Sequence, residues 1–375
     1  MKKAKSSIKK YIKATDKIML LACICASIYS CVLLFGLSQA DKIDSIVWIK
    51  QAMFSVAGVI CALIISKIDY DFMANMWKIH LPIAVILNLL TFTPLGVQRV
   101  EYVDDRAWIK FPIIGTFQPS ELLKLSFILV FALHLSLVYK KINKLKVLIP
   151  VCIHGAIPIL LIHLQGDDGT AVIFGIIFIF MLFNAGLSYK YIGAGIGAVS
   201  VWVPLVWFFI LSDDKKNRFL AVYSPQNSSK AILWQQNMGK IAIGSGGVSG
   251  KGLGSQSYQL VPENHNDFIF SFIGEAFGFL GCLLIILLIC IICFRIVYTF
   301  NIAEDPLGQN ICVGVFAMII SQSVINIGMN LSLIPVIGVT LPLMSAGGSS
   351  VVVTYVGIGM VLSLYHRAKG NMFLE

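Results

Sequence analysis

The stretch VPENHNDFIFSFIGEAFGFLGCLLIILLICIICF, residues 261–294, sets Glu263, His265, Asn266 and Asp267 directly before an apolar run that continues to Phe294. A run of that length can cross a hydrocarbon core of about 30 Å as a helix, because in lipid every backbone N–H and C=O must be paired internally. The rest of the chain agrees. Hydrophobic residues make up 57% of 375 residues, charged residues 13%, and the mean hydropathy is +0.84. Soluble domains carry about 25% charged residues, so this composition excludes a soluble globular protein.

Comparable runs occur at 18–37, 47–66, 79–97, 121–139, 147–164, 169–187, 190–211, 268–294, 309–330 and 350–365. The expected fold is therefore an all-α polytopic membrane protein with about ten transmembrane helices. No segment between the runs can bury a core of its own, which leaves one integral membrane domain over 1–375 with a basic tail at 1–17. That tail reads as uncleaved, since no small-residue cleavage site precedes the next acidic loop. Cytoplasmic loops retain lysine and arginine during insertion. With both termini cytoplasmic, the inner segments hold seventeen such residues and the short outer loops five, Lys42, Lys50, Arg99, Arg106 and Lys110. One long extracytoplasmic loop, 212–267, is expected between helices 7 and 8. The net charge of +10 then serves orientation and contact with anionic lipids, and gives no argument for nucleic acid.

In this topology every unusual polar cluster falls on the outer face: QPSELLK (118–124), QGDDGT (165–170), 212–267 and PVIGVTLPLMSAGGSS (335–350). An active site should open outward. Ionisable groups in a span mark function unless they find a partner, which singles out Glu121 with Lys124 three residues on, and Glu275 between Gly274 and Gly278. Ser120 with Glu121 also suits a helix N-terminus, as do Asp167 and Asp168. Asp267 is a plausible N-cap for the eighth span, but capping explains one acid and not Glu263, His265 and Asp267 together, which an extended segment would point the same way. Gln322, Asn326 and Asn330 form a stripe best read as interhelical hydrogen bonding. His134, His154 and His163 read as satisfied bundle residues. All nine cysteines lie in spans, and the Cys290/Cys293 pair reads as packing. The segment IGSGGVSGKGLGSQS (243–257) fails the Walker A pattern, because Lys251 is followed by Gly252. With Lys251 it forms a glycine-rich outer segment able to fold over an anion.

Taken together, FQPSELLKL, QGDDGTA, AIGSGGVSGKGLG running into VPENHNDFIFSFIGEAFGFLG, and NIGMNLSLIPVIGVTLPLMSAGGSS resemble the SEDS family (RodA, FtsW, SpoVE) in order and spacing over roughly 15–370. QGDDGT stands where the family has QPDLGT, HNDF for HTDF, EAFG for EELG and SAGGS for SYGGS. PVIG favours the RodA-like branch. The resemblance implies a peptidoglycan glycosyltransferase that polymerises lipid II on the outer face of the bacterial cytoplasmic membrane, for elongation and shape or for division. It implies a class B penicillin-binding protein as transpeptidase partner, and places the catalytic acid at Asp267. Substrate contacts are expected from Glu121, Lys124, Asp167, Arg218, Lys251, Glu263, His265, Glu275 and Ser345. No metal site is expected and no cofactor is required, although a divalent cation is compatible. A flippase for the lipid-linked precursor is the alternative; a noncatalytic scaffold leaves the intramembrane acids without purpose.

Overall fold

In the computed structural model, which describes residues 15–97, 106–111, 115–209, 211, 213–223 and 230–371, a helix occupies most of each of the ten apolar runs. In chain order the helices are α1 (Lys17–Gln39), α2 (Ile46–Ile65), α3 (Tyr70–Asn75), α4 (Trp77–Leu90), α5 (Pro119–Val138), α6 (Leu145–Leu164), α7 (Asp168–Asn184), α8 (Tyr189–Phe209), α9 (Asp213–Tyr223), α10 (Lys230–Ser245), α11 (Ile269–Ile302), α12 (Pro306–Asn330) and α13 (Gly348–Asn371). Between α4 and α5, strands β1 (Gly96–Val97), β2 (Trp108–Phe111) and β3 (Gly115–Phe117) form an antiparallel sheet in that order. Eight of the described helices are long and apolar enough to cross a membrane, while α4 and α7 are shorter. α4 stops at Leu90 because the chain turns toward β1. The expected loop at 212–267 carries α9 and α10, whose polar sequences gave no apolar periodicity to read.

α12 is the centre of the bundle, packing on α11, α7 and α5 and touching α10 and α13. Its buried positions, among them Leu307, Ile311, Val315, Met318, Asn326 and Met329, occur on every face, as expected of a helix enclosed by others. α8 has no buried residue in its apolar window. In a bilayer its Ile196, Val199 and Val203 meet acyl chains, so their exposure is ordinary.

Polar contacts sort the bundle ends into two sides. At one, Arg295 donates to Asp16 at 2.7 Å, Thr15 and the Ser66 carbonyl bracket His366, Arg367 pairs with Asp69 and Asp71, and Tyr70 bonds Asp305. This side joins the start of α1, the α2–α3 and α11–α12 turns and the end of α13, the segments assigned to the cytoplasm by their basic residues. Glu121, Asp167 and Asp267 belong to segments at the opposite helix ends.

α11 is broken inside its span. Gly278 has φ 63° and ψ −157°, outside helical space, and the segment after α10 repairs the break. Phe279 and Leu280 N–H groups donate to the carbonyls of Gly247 and Val248, while Lys251 and Gly252 N–H groups donate to those of Glu275 and Ala276. The glycines permit this approach: a Cβ on Gly246 would stand 1.9 Å from the Gly274 carbonyl oxygen. Gly246→Ala is expected to lower the apparent Tm in detergent well below that of Gly244→Ala, whose added Cβ meets nothing within 4 Å. Overpacking of this kind costs about 1–3 kcal/mol. Equal melting curves for the two variants would contradict the docking.

Candidate active site

Residues 262–268 coil as consecutive turns instead of extending. The N–H groups of Asn266 and Phe268 both donate to the Glu263 carbonyl at 3.0 Å, and Glu263 itself sits at φ 54°. The alternation expected to make Glu263, His265 and Asp267 converge is therefore absent, and Asn266 joins the first two instead. Its Nδ2 lies 2.8 Å from Glu263 Oε2 and 3.0 Å from His265 Nε2. The N-cap position of the following helix falls on Phe268, one residue after Asp267. The Asp267 backbone is instead gripped from α12, its carbonyl accepting from Asn326 Nδ2 and from Asn330 Nδ2 at 2.9 Å each. The asparagine stripe read as bundle glue does bond across elements, and its target is the acid's own carbonyl.

The irregular segment 331–347 folds back along Asp267. Gly338, at φ 68°, brings bare backbone beside the carboxylate; a Cβ there would lie 3.8 Å from Asp267 Oδ2. On its other side the segment meets α7, where a Cβ on Gly169 would stand 2.1 Å from the Ile337 carbonyl oxygen. Ser345, 2% exposed, accepts from the Leu341 N–H and donates to the Asn266 carbonyl at 2.7 Å. Its hydroxyl is thus committed within the protein. Gln51 Nε2 donates to the Ser345 carbonyl and to Ser30 Oγ, and Ser30 to the Met344 carbonyl, so α1 and α2 fix this segment from behind.

Asp167 is the N-cap of α7, accepting from Thr170 N–H at 2.9 Å, and Gln118 donates to its other oxygen at 2.6 Å. Burial pushes its carboxyl up, against the Thr170 hydrogen bonds and the Lys124 charge, which hold it down. Lys124 bonds Glu121 at 2.8 Å, the two side chains being 1% and 5% exposed. Ser120 is not the cap of α5, a position held by Gln118 without a cap bond. Pairwise contacts link these groups: Gly338 borders Asp267, Ile337 meets the α7 N-terminus at Gly169, Gln118 bonds Asp167, and the charges of the buried Glu121–Lys124 pair act on Asp167.

Lys251 and Glu275 form a second ion pair at 2.6 Å. Glu275 Oε1 also accepts from the Gln259 N–H, and Lys251 Nζ donates to the Ser257 carbonyl. The close approach read from Gly274 and Gly278 is made by α10 and its following segment. Since Gly250, Lys251 and Gly252 donate their N–H groups to protein carbonyls, these amides are engaged and do not form an open anion nest. Arg218 falls in α9, and its side chain lies outside the described residues. No group of three metal-ligating residues occurs among the described residues.

A cleft of about 550 Å³ opens beside the Asp267 turn. His265, Ala346 and Gln51 stand on its site side, Thr116 and Phe117 come from β3, and Phe54, Leu122, Leu125, Val352, Val353 and Val356 provide apolar walls. Among the described residues, Lys50 is the one lysine lining it. From sequence Lys50 reads only as a loop charge, because nothing local shows that it borders a cleft. Asn326 and Asn330 were noticed but given no site role, because the pairing of α12 with the Asp267 turn cannot be read from local spacing.

Comparison with known proteins places this arrangement. Residues 14–370 match the family described as cell cycle protein, FtsW, RodA and SpoVE. The chain is 30% identical to the probable peptidoglycan glycosyltransferase FtsW of Geobacter metallireducens, covering 96% of this chain and 97% of that protein. It is 29% identical to the peptidoglycan glycosyltransferase MrdB of Escherichia coli K12, covering 94% of each. It is 32% identical to stage V sporulation protein E of Bacillus subtilis, covering 85% and 87%. Overall identity therefore separates no branch. Its fold resembles a chain from a peptidoglycan synthase complex, solved for the structural coordination of polymerization and crosslinking, with TM-score 0.77, 23% identity and coverage of 93% and 97%. It also resembles the rod shape determining protein RodA of Thermus thermophilus, with TM-score 0.68, 22% identity and coverage of 94% and 97%.

Proposed function

The chain belongs to the FtsW, RodA and SpoVE family of multi-pass membrane proteins and is a peptidoglycan glycosyltransferase; from that premise we propose that it polymerises lipid II at the outer face of the bacterial cytoplasmic membrane, with Asp267 as general base. The observation that carries the assignment is Asp267 itself: 8% exposed, bordered by bare Gly338 backbone, and two residues from His265, which lines the cleft. Lipid II is a sugar on a polyprenyl pyrophosphate, so its site needs an apolar path in the membrane beside polar groups at the surface. The cleft has both.

In the proposed reaction Asp267 takes the proton from the 4-hydroxyl of one glycan as that oxygen attacks the anomeric carbon of another, in a single inverting displacement. The C–O bond to pyrophosphate breaks as the new glycosidic bond forms. Pyrophosphate leaves with its electron pair, so the second carboxylic acid that glycoside hydrolysis needs is not required. The tail lies between the walls of α2, α5 and α13, and Lys50 meets charge on the departing phosphate. Glu263 and His265 orient the acceptor through Asn266. The Glu121–Lys124 pair and Asp167 hold up the wall behind, and Lys251 with Glu275 fixes α11 across its break. A class B penicillin-binding protein working beside this chain as transpeptidase is supported by its likeness to a chain from a synthase complex.

The test is purified full-length protein in detergent or liposomes supplied with lipid II. Long glycan strands that lysozyme digests are the expected product. Movement of fluorescent lipid II across liposomes with no polymer under any condition, including added partner transpeptidase, would replace this reading with the flippase.

A further inference from the structure

Asn326 is 0% exposed, and its one side-chain amide donates twice. Nδ2 lies 2.9 Å from the Asp267 carbonyl oxygen and 2.8 Å from that of Val339. A polar side chain that merely joins helices needs one such bond. These two bonds go to irregular backbone, the turn that carries the carboxylate and the segment whose Gly338 borders that carboxylate. Neither segment has a ladder of its own to fix the gap between them. Two other links, from Ser345 to the Asn266 carbonyl and from the Ala346 N–H to the His265 carbonyl, join the same segments at the residues just before Asp267 and several residues after Val339. The Asn326 amide is thus the tie at Asp267 itself. Asn330, one turn on, grips the same carbonyl, but its Oδ1 accepts from Ser271 N–H and Ser271 Oγ in the first turn of α11. Asn330 therefore anchors the turn to a helix, whereas Asn326 anchors it to the opposite wall of the site.

We propose that Asn326 is a positioning residue for polymerisation, setting where the Asp267 carboxylate stands relative to the 337–339 backbone; this rests on the reading of Asp267 as general base. A base must reach its proton within about 2.6–3.2 Å. A misplacement of about 1 Å costs on the order of 10²-fold in rate. Without the amide, Asp267 remains present and chemically competent, and the acceptor hydroxyl held against the 337–339 segment falls outside its reach.

Asn326→Asp preserves shape and removes both donors, and Asn326→Ser, uncharged, reads the same quantities where the aspartate variant does not fold. With full-length protein in detergent and lipid II titrated, both are expected to lose about 10-fold to 10²-fold in kcat, with KM within about 3-fold of wild type and a displaced pH–rate profile. Ser271→Ala is the control: it removes a hydrogen bond from the same buried network, touches neither Asp267 nor Val339, and should lower Tm while keeping kcat. An Asn326 variant with wild-type kcat and pH profile, or one no slower per folded molecule than Ser271→Ala, overturns the assignment. Asp267→Ala in the same assay separates the two layers. If it is inactive while Asn326→Asp runs at full rate, only the positioning role is lost; if it polymerises, the general-base reading beneath it fails.

Discussion

Asp267→Asn is expected to cut glycan polymerisation by about 10²-fold to 10⁴-fold, the contribution of a positioned general base, while leaving insertion and thermal unfolding close to wild type. The argument for both halves is structural. Asparagine keeps the volume and the backbone carbonyl, and it is that carbonyl that Asn326 and Asn330 hold. Both anchors of the turn therefore survive the exchange. What disappears is the basic carboxylate of the residue that borders Gly338. Were Asp267 a capping residue, the pattern would invert. Its alanine variant would lose about 0.5–2 kcal/mol of stability and keep its rate, an outcome that melting curves and lipid II turnover together distinguish from loss of a base. Asp267→Glu, which retains a carboxylate on a longer arm, should fall between wild type and Asp267→Asn. Lipid II turnover by Asp267→Asn at the wild-type rate would end the base assignment, because the remaining side chain has no basic atom.

The bundle was legible because its physics is one-dimensional. Twenty apolar residues in a row leave a helix as the only satisfied backbone, and the basic bias of the loops ordered their ends. The site was legible only as an inventory. QPSE, QGDDGT and HNDF announced acids at one membrane face, but nothing local showed that segment 331–347 would fold back and join them. Where local rules were applied to irregular chain they missed. The alternation argument fails at 262–268 because Glu263 turns left-handed, and a first-turn N–H of α11, that of Ser271, finds its acceptor on α12, in Asn330 Oδ1. The glycine-rich segment was read as an anion cradle, when its amides close the break at Gly278. Such a break leaves orphan backbone groups inside the membrane, and a flexible, amide-rich segment is what can reach them.

Lys124→Met is expected to have the largest effect on stability of any single replacement in the site. With Lys124 1% and Glu121 5% exposed and 2.8 Å apart, methionine fills much of the lysine's volume but strands a carboxylate that water cannot reach. Removing one partner of a buried pair costs about 3–5 kcal/mol, whereas replacing both by neutral groups of similar shape is often close to neutral. Asp167 amplifies the single loss. Burial already raises its carboxyl and the Lys124 charge opposes that rise, so deleting the lysine pushes Asp167 further up and weakens its charged cap on α7. The double variant Glu121→Gln with Lys124→Met should therefore melt much nearer to wild type than Lys124→Met alone. Activity then decides what the pair is for. Both side chains are sealed from the surface in this fold, so the double variant should polymerise within about 10-fold of wild type per folded molecule, the loss of a supporting wall and not of a contact. A loss as deep as that of Asp267→Asn, in a double variant that melts normally, would mean that Lys124 leaves Glu121 during turnover and meets the substrate's phosphate itself.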